Sequence, residues 1–458
     1  MSIAGLNSAR RPARRVAGAR GAAAIAALAM VAHGCGPRVQ SGANAKRGSP
    51  SLAYSLERAA ALKDGIPVTP EALQGAMPPP DENAAPIYSR VAAAIEAKPL
   101  PPEIGGLSAP RLPASAQLTA ARPALAARAD LLALIRQAAL RRKCVFAADW
   151  SNPNAIELIK PETARSIARL LRAQSLVLVS QHRSTDAVEW QALGFHVAAH
   201  LADQNWGFTD SYFVESSAMT GLDEILLLAG DDPRAADAVR ATIEQQWRPA
   251  SLAAAIRRRI GVTLVILDNV RDAGPDSIKP LLKAVKGPPQ AMDGKRWNAF
   301  VDENATLLLG RAKRVIPLAD RPYRECSGAI SAMEEEVDSD ANPNHLLQAL
   351  MDEKYGYMLD QRASSIARAA VTRSAAAVLA YRGRHGAFPS ELGEALQPPR
   401  DPFSGAPVGY RREGVGFVVY CPGKTGRFRG GDRNAPPARR EAVFRYPIPP
   451  ALAPARAR

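Results

Sequence analysis

From Ala114 to about Lys286, apolar residues return every third or fourth position in one segment after another. A chain patterned this way must bury its stripes by packing helix on helix. Leu125, Leu131, Leu132, Leu134 and Ile135 form one stripe, and Ile167, Leu170, Leu171 and Leu178 a second, in a segment opened by Pro161-Glu162. Thr185-Asp186 is suited to cap the next, where Val188, Leu193, Val197 and Leu201 share a face. A segment from Phe213 to Leu228 follows. Asp232-Pro233 then offers a cap and a first-turn proline for a helix ending near Gln246, and another helix runs from Ser251 to about Val270. No 34-residue period is present, so tetratricopeptide repeats are not indicated. The expected fold is mainly α: an antiparallel helical-hairpin bundle or short α-solenoid, with a small C-terminal α+β module.

Composition agrees with helix over sheet, because 47% of the 458 residues are hydrophobic but only 5% aromatic. Upstream, Pro78-Pro79-Pro80-Asp81-Glu82-Asn83-Ala84-Ala85 precedes a helix with Ile87, Val91, Ala94 and Ile95 on one face, and the Pro/Gly-rich stretch 98–113 reads as a connection. Downstream, Gly287 to Trp297 reads as a loop, with helix resuming through Leu307 and Ile316. Glu334 to Asp340 reads as a solvated acidic turn, and a long helix is expected from about Asn344 to Tyr381. Beyond Asp401-Pro402-Phe403, the alternating runs at 408–411, 415–420 and 443–446 read as a small antiparallel sheet.

The N-terminus carries an address. Arg10, Arg11, Arg14, Arg15 and Arg20, with no acid, precede the apolar run Ala22 to Ala32, which is too short to span a bilayer. The run ends at Gly34-Cys35, and Val31-Ala32-His33-Gly34-Cys35 resembles the bacterial lipobox. That resemblance implies export, cleavage before Cys35 and lipidation of Cys35, which would anchor the protein to a membrane facing the periplasm. Ordinary signal cleavage nearby and an uncleaved anchor are the alternatives. The expected division is 1–34 signal peptide, 35–52 tether, 53–345 helical body, 346–450 long helix plus small β-sheet, and 451–458 disordered tail. Five of the net +15 charges lie in the signal, which leaves about +10. Of 59 basic residues 47 are Arg and 12 Lys, which speaks for GC-rich coding as much as for anion binding.

The end of the chain resembles the soluble region of type II secretion pseudopilins. A long helix, then His385-Gly386, Phe388-Pro389, Asp401-Pro402-Phe403 and a Gly-separated hairpin follow in that family's order over roughly 360–446. No transmembrane helix feeds the region directly, so it reads as a borrowed module. The stretch Gly423 to Asn434, where such proteins often bind calcium, holds one acid among four basic residues and is not expected to bind the ion. The stretch Pro79 to Pro86 with the Ala-rich middle is also similar to large exported bacterial proteins of unknown function.

Candidate chemistry is sparse. His196 and His200 stand one helical turn apart, as zinc ligands require, but Val197 replaces the glutamate of the metalloprotease motif, so a partly buried helix face is expected. Asp338, Asp340, Asn342 and Asn344 imitate half an EF-hand loop, yet Pro343 stands where glycine is needed and Ala349 where a bidentate glutamate is needed. Gly423-Lys424-Thr425 imitates the end of a phosphate loop, but Val418 occupies the upstream glycine position. Trp190, Trp206, Phe208, Tyr212 and Phe213 could line a groove for sugar or peptide, with core packing as the default. The basic segment Arg427 to Arg445 could touch anionic envelope polymer. With Cys35 lipidated, Cys144, Cys326 and Cys421 allow one disulfide at most. The expectation is a lipid-anchored envelope scaffold without catalytic residues, metal, cofactor or nucleic-acid partner, binding another protein. The alternatives are a hydrolase acting on cell-wall material and an accessory of a secretion or pilus-like system.

Overall fold

Caps and prolines decide where the first helices begin. The Ser51 hydroxyl accepts from the Tyr54 amide to open α1 (Leu52–Lys63), and Thr69 does the same for the short α2 (Pro70–Gln74). The computed structural model describes residues 50–108, 112–148, 159–204, 208–278, 294–339, 342, 345, 347, 354–430 and 441–447. After α2 come α3 (Ala85–Ala97), α4 (Pro102–Gly105), α5 (Ser115–Ala126) and α6 (Ala129–Ala139). Four long helices follow: α7 (Pro161–Ser180), α8 (Ser184–Ala202), α9 (Phe208–Ala229) and α10 (Pro233–Gln246). The last group is α11 (Leu252–Ala273), α12 (Gly294–Ala319), α13 (Tyr323–Ser339) and α14 (Tyr355–His385). A three-stranded antiparallel sheet closes the chain, with β1 (Gly409–Glu413), β2 (Gly416–Cys421) and β3 (Ala442–Tyr446) in that spatial order. The chain is mainly α with a small α+β module near its C-terminus.

Three large apolar cores result. The first joins α1, α11, α12, α13 and the start of α14 around Tyr54, Ile256, Trp297 and Tyr355. The second joins α3 to α6 with α7 and α8 around Tyr88, Ile135, Ile167 and Leu201. The third joins α9, α10, the rest of α14 and the sheet around Met219, Val239, Leu379 and Phe417. Helix α14 therefore contributes Met358 and Leu359 to one core and Val378 and Leu379 to another. Its many alanines, among them Ala375, Ala376 and Ala377, let neighbouring helices approach on most of its circumference.

Several boundaries differ from the sequence reading. The stripe from Leu125 to Ile135 breaks between α5 and α6, where Arg128 donates to the Pro99 carbonyl at 2.7 Å. Thr185 and Asp186 do not cap α8: it starts at Ser184, and Asp186 pairs instead with Arg183. The acids from Glu334 onward are helical rather than a turn, since α13 runs to Ser339. Glu336 pairs with Arg314, Asp338 with Lys354, and Glu334 accepts from the Gly356 amide, while Glu336 and Asp338 stay exposed as the sequence suggests. Helix α12 begins at Gly294, which makes Trp297 a buried helical residue instead of a loop residue. The long helix begins at Tyr355 and continues to His385, where Gly386 (φ +73°) caps it in the left-handed region.

Among the described residues no helix is long and apolar enough to cross a membrane. The signal segment, Cys35, residues 36–49 of the tether and the 451–458 tail lie outside the described residues.

Candidate functional site

The proline run and the segment after α6 are tied together by side-chain amides. Asn83, buried, donates from Nδ2 to the Val145 carbonyl at 2.9 Å and accepts from the Val145 amide at 3.0 Å and the Ala85 amide at 3.1 Å. Gln74 makes a second clamp: its Nε2 donates to the Phe146 carbonyl at 3.0 Å and its Oε1 accepts from the Ala148 amide at 2.9 Å. Backbone bonds between Glu82 or Ala84 and Lys143 complete the seam. Beyond this single parallel bridge, amide side chains satisfy the segment's backbone groups as a neighbouring strand would. Gly261 of α11 lets the opposite wall close in, because a Cβ there would lie 2.3 Å from the Pro67 carbonyl oxygen.

Between these walls lies a cleft of about 510 Å³. Pro67, Leu73, Met77, Pro79, Phe146 and Ala148 give it apolar surface, and Glu82, Lys143, Asp203 and Arg258 give it charge of both signs. Asp203 and Arg258 face each other at 3.7 Å. The Cys144 thiol also lines the cleft, but burial pushes its pKa up to about 12, so at neutral pH it is a thiol and a poor nucleophile. Gln204 approaches that sulfur at 3.8 Å and accepts from the Ile159 amide at 3.3 Å.

His200 sits close by but serves the fold. His200 is 5% exposed; its Nε2 lies 3.0 Å from the Arg141 carbonyl and its Nδ1 3.1 Å from the Tyr88 hydroxyl. A carbonyl only accepts, so Nε2 carries the proton and Nδ1 accepts from Tyr88. Burial lowers the His200 pKa, which keeps the ring neutral. Both nitrogens are engaged, so His200 has no lone pair to offer a metal beside His196. Among the described residues no three His, Cys, Asp or Glu side chains converge in metal-binding geometry.

The other sequence candidates are dispersed. Asp338 is on a helix and paired with Lys354, and Asn342 lies 3.1 Å from His345, while Asp340 and Asn344 lie outside the described residues. Gly423-Lys424-Thr425 forms a tight turn after β2, and Lys424 binds Asp360 and lies over the Tyr323 ring, tying the sheet to α13 and α14. Of the aromatic residues, Trp190 lies under Arg136, Phe213 under Arg165, and Tyr212 lines a separate void, so these three do not gather on one groove. Trp206 and the Phe208 side chain lie outside the described residues. Within the basic segment, Arg445 pairs with Glu413, and residues 431–440 lie outside the described set. Asp401 of the Asp401-Pro402-Phe403 motif is fully buried, and its carboxylate accepts from the Phe403 amide and the Ser404 hydroxyl to close a turn. The three described cysteines are free and buried, one in each large core.

The sequence reading missed the cleft. Its signal was Asn83 and Gln74 flanking a proline run, a pattern that acquires meaning only once residues 143–148 lie beside it. Comparison of the chain with models of protein families, with characterised proteins and with solved structures finds no match.

Proposed function

We propose that the chain is a lipid-anchored cell-envelope protein that binds another protein without catalysing a reaction. The observation that carries this reading is the make-up of the cleft. It sets apolar wall residues beside one ion pair, Asp203–Arg258, its thiol is held protonated, and the nearby histidine is consumed by Tyr88 and Arg141. Such a surface suits an extended polypeptide segment, whose side chains would fill the apolar floor while its charges meet Glu82, Lys143 or the Asp203–Arg258 pair. Export, and anchorage through Cys35 facing the periplasm, follow from the lipobox-like sequence and complete the proposal.

A photocrosslinking residue in place of Met77, which lines the cleft and is 51% exposed, tests it in the native envelope. The expected result is a discrete protein adduct that Leu73→Glu reduces on the order of tenfold, as loss of a central apolar contact does. Turnover of cell-wall material by the purified protein, abolished by Asp203→Asn, would overturn the proposal in favour of a hydrolase. A role in a secretion or pilus-like system would have to use the sheet, because α9 and α10 cover the C-terminal half of α14.

A further inference from the structure

Helix α1 is the first described element after the tether, and it wears leucine on the wrong side. Its inner face places Tyr54 and Ala61 in the first core at 0% exposure. Its outer face leaves Leu52 at 77%, Leu56 at 63% and Leu62 at 50%. At 100° per residue these three fall within an arc of about 120°, which also holds the exposed Ser55, Ala59 and Lys63. The flanking charges are spent elsewhere, Glu57 on Lys313 and Arg58 on Asp268. The helix is also fixed in place: the Ser51 amide donates to Asp302 at 2.7 Å, and Arg271 bridges Asp268 and Asp302 beneath the Tyr54 ring. This apolar stripe is therefore presented by a rigid support.

The chain that leads into α1 indicates what covers the stripe. Between Cys35 and α1 lie Arg38, Lys46 and Arg47, and no carboxylate precedes Glu57. Leu52 stands seventeen residues after Cys35, a reach of about 60 Å at most. Basic residues followed by an amphipathic helix with exposed leucines are what an anionic bilayer surface holds in its interfacial plane. We infer that α1 lies on the membrane, its leucine stripe entering the headgroup region of anionic lipid and fixing the orientation of the whole protein on the bilayer. This rests on the proposed membrane anchorage but adds to it, since a lipid on Cys35 alone would leave the body free to turn on its tether.

The test uses the full-length protein purified from membranes, with Leu56→Cys or, for comparison, Val415→Cys in the exposed β1–β2 turn, each carrying an environment-sensitive fluorophore. In phosphatidylglycerol/phosphatidylcholine vesicles the label at 56 should shift to the blue, and spin-labelled headgroup-region lipid should quench it on the order of threefold more than the label at 415. Vesicles of phosphatidylcholine alone should give a smaller shift. A label at 56 that stays in water on vesicle-bound protein overturns the inference. So does one already shielded without vesicles, which would mean that another part of the chain covers the stripe. Equal quenching at 56 and 415 overturns it as well. The mass of the N-terminal peptide reports separately on Cys35: an unmodified cysteine with a membrane-buried label at 56 would remove lipidation and keep the contact.

Discussion

Glu215 on α9 is a buried carboxyl hydrogen-bonded to neutral donors: the Trp247 indole at 2.6 Å and the Ser365 hydroxyl. Desolvation outweighs those two bonds and raises its pKa above the ordinary carboxylate value. The protonated form is thus favoured by folding, and the associated stability is complete below the unfolded carboxyl value of about 4.3 and is lost as pH rises through the raised one. Glu215→Gln keeps an acceptor for both donors and removes the charge. Its stability relative to the native chain should therefore grow as pH rises above the unfolded carboxyl value of about 4.3 in urea unfolding, and a difference that does not vary with pH would refute this account. His200 acts in the opposite sense, because its lowered pKa makes acid destabilising. That contribution is common to both proteins and cancels in the comparison.

Between elements, a buried polar tie joins Arg172 of α7 to Glu224 of α9, side chains only 7% and 8% exposed. Arg172 also reaches the Leu107 carbonyl, and next to Glu224 the Asp223 carboxylate receives Arg368 and Thr372 of α14, so one polar layer crosses three helices. Arg172→Leu strands Glu224 without its cation and should cost about 3–5 kcal/mol in chemical denaturation. Arg172→Leu with Glu224→Leu should recover most of that, since the buried charge leaves with its partner. None of this layer was legible in the sequence. What was legible was local: Pro161, Asp232 and Ser251 mark helix starts because a cap or a fixed φ acts over a few residues. The acids of α13 misled for the converse reason, as their partners Arg314 and Lys354 belong to other elements. The cleft was hidden likewise, its amide clamps linking residues 62 and 72 positions apart in Asn83 and Gln74.

At the scale of the molecule, no core stands alone. Helices α7 and α8 pass from the second core into the third, through Leu178, Val179 and Val188, while α14 passes from the first into the third. Losing any one core removes half of a helix that another requires. Calorimetry should therefore show a single transition with equal van't Hoff and calorimetric enthalpies, and two resolved transitions would mean that the cores melt independently. The sharing of α14 has a temporal side. In a chain delivered from its N-terminus, residues 355–385 arrive only after more than three quarters of the 458. Until then Met219, Leu222 and Val239 wait without the alanine-rich rod that packs against them, so a stalled or truncated chain is aggregation-prone and a natural client for chaperones.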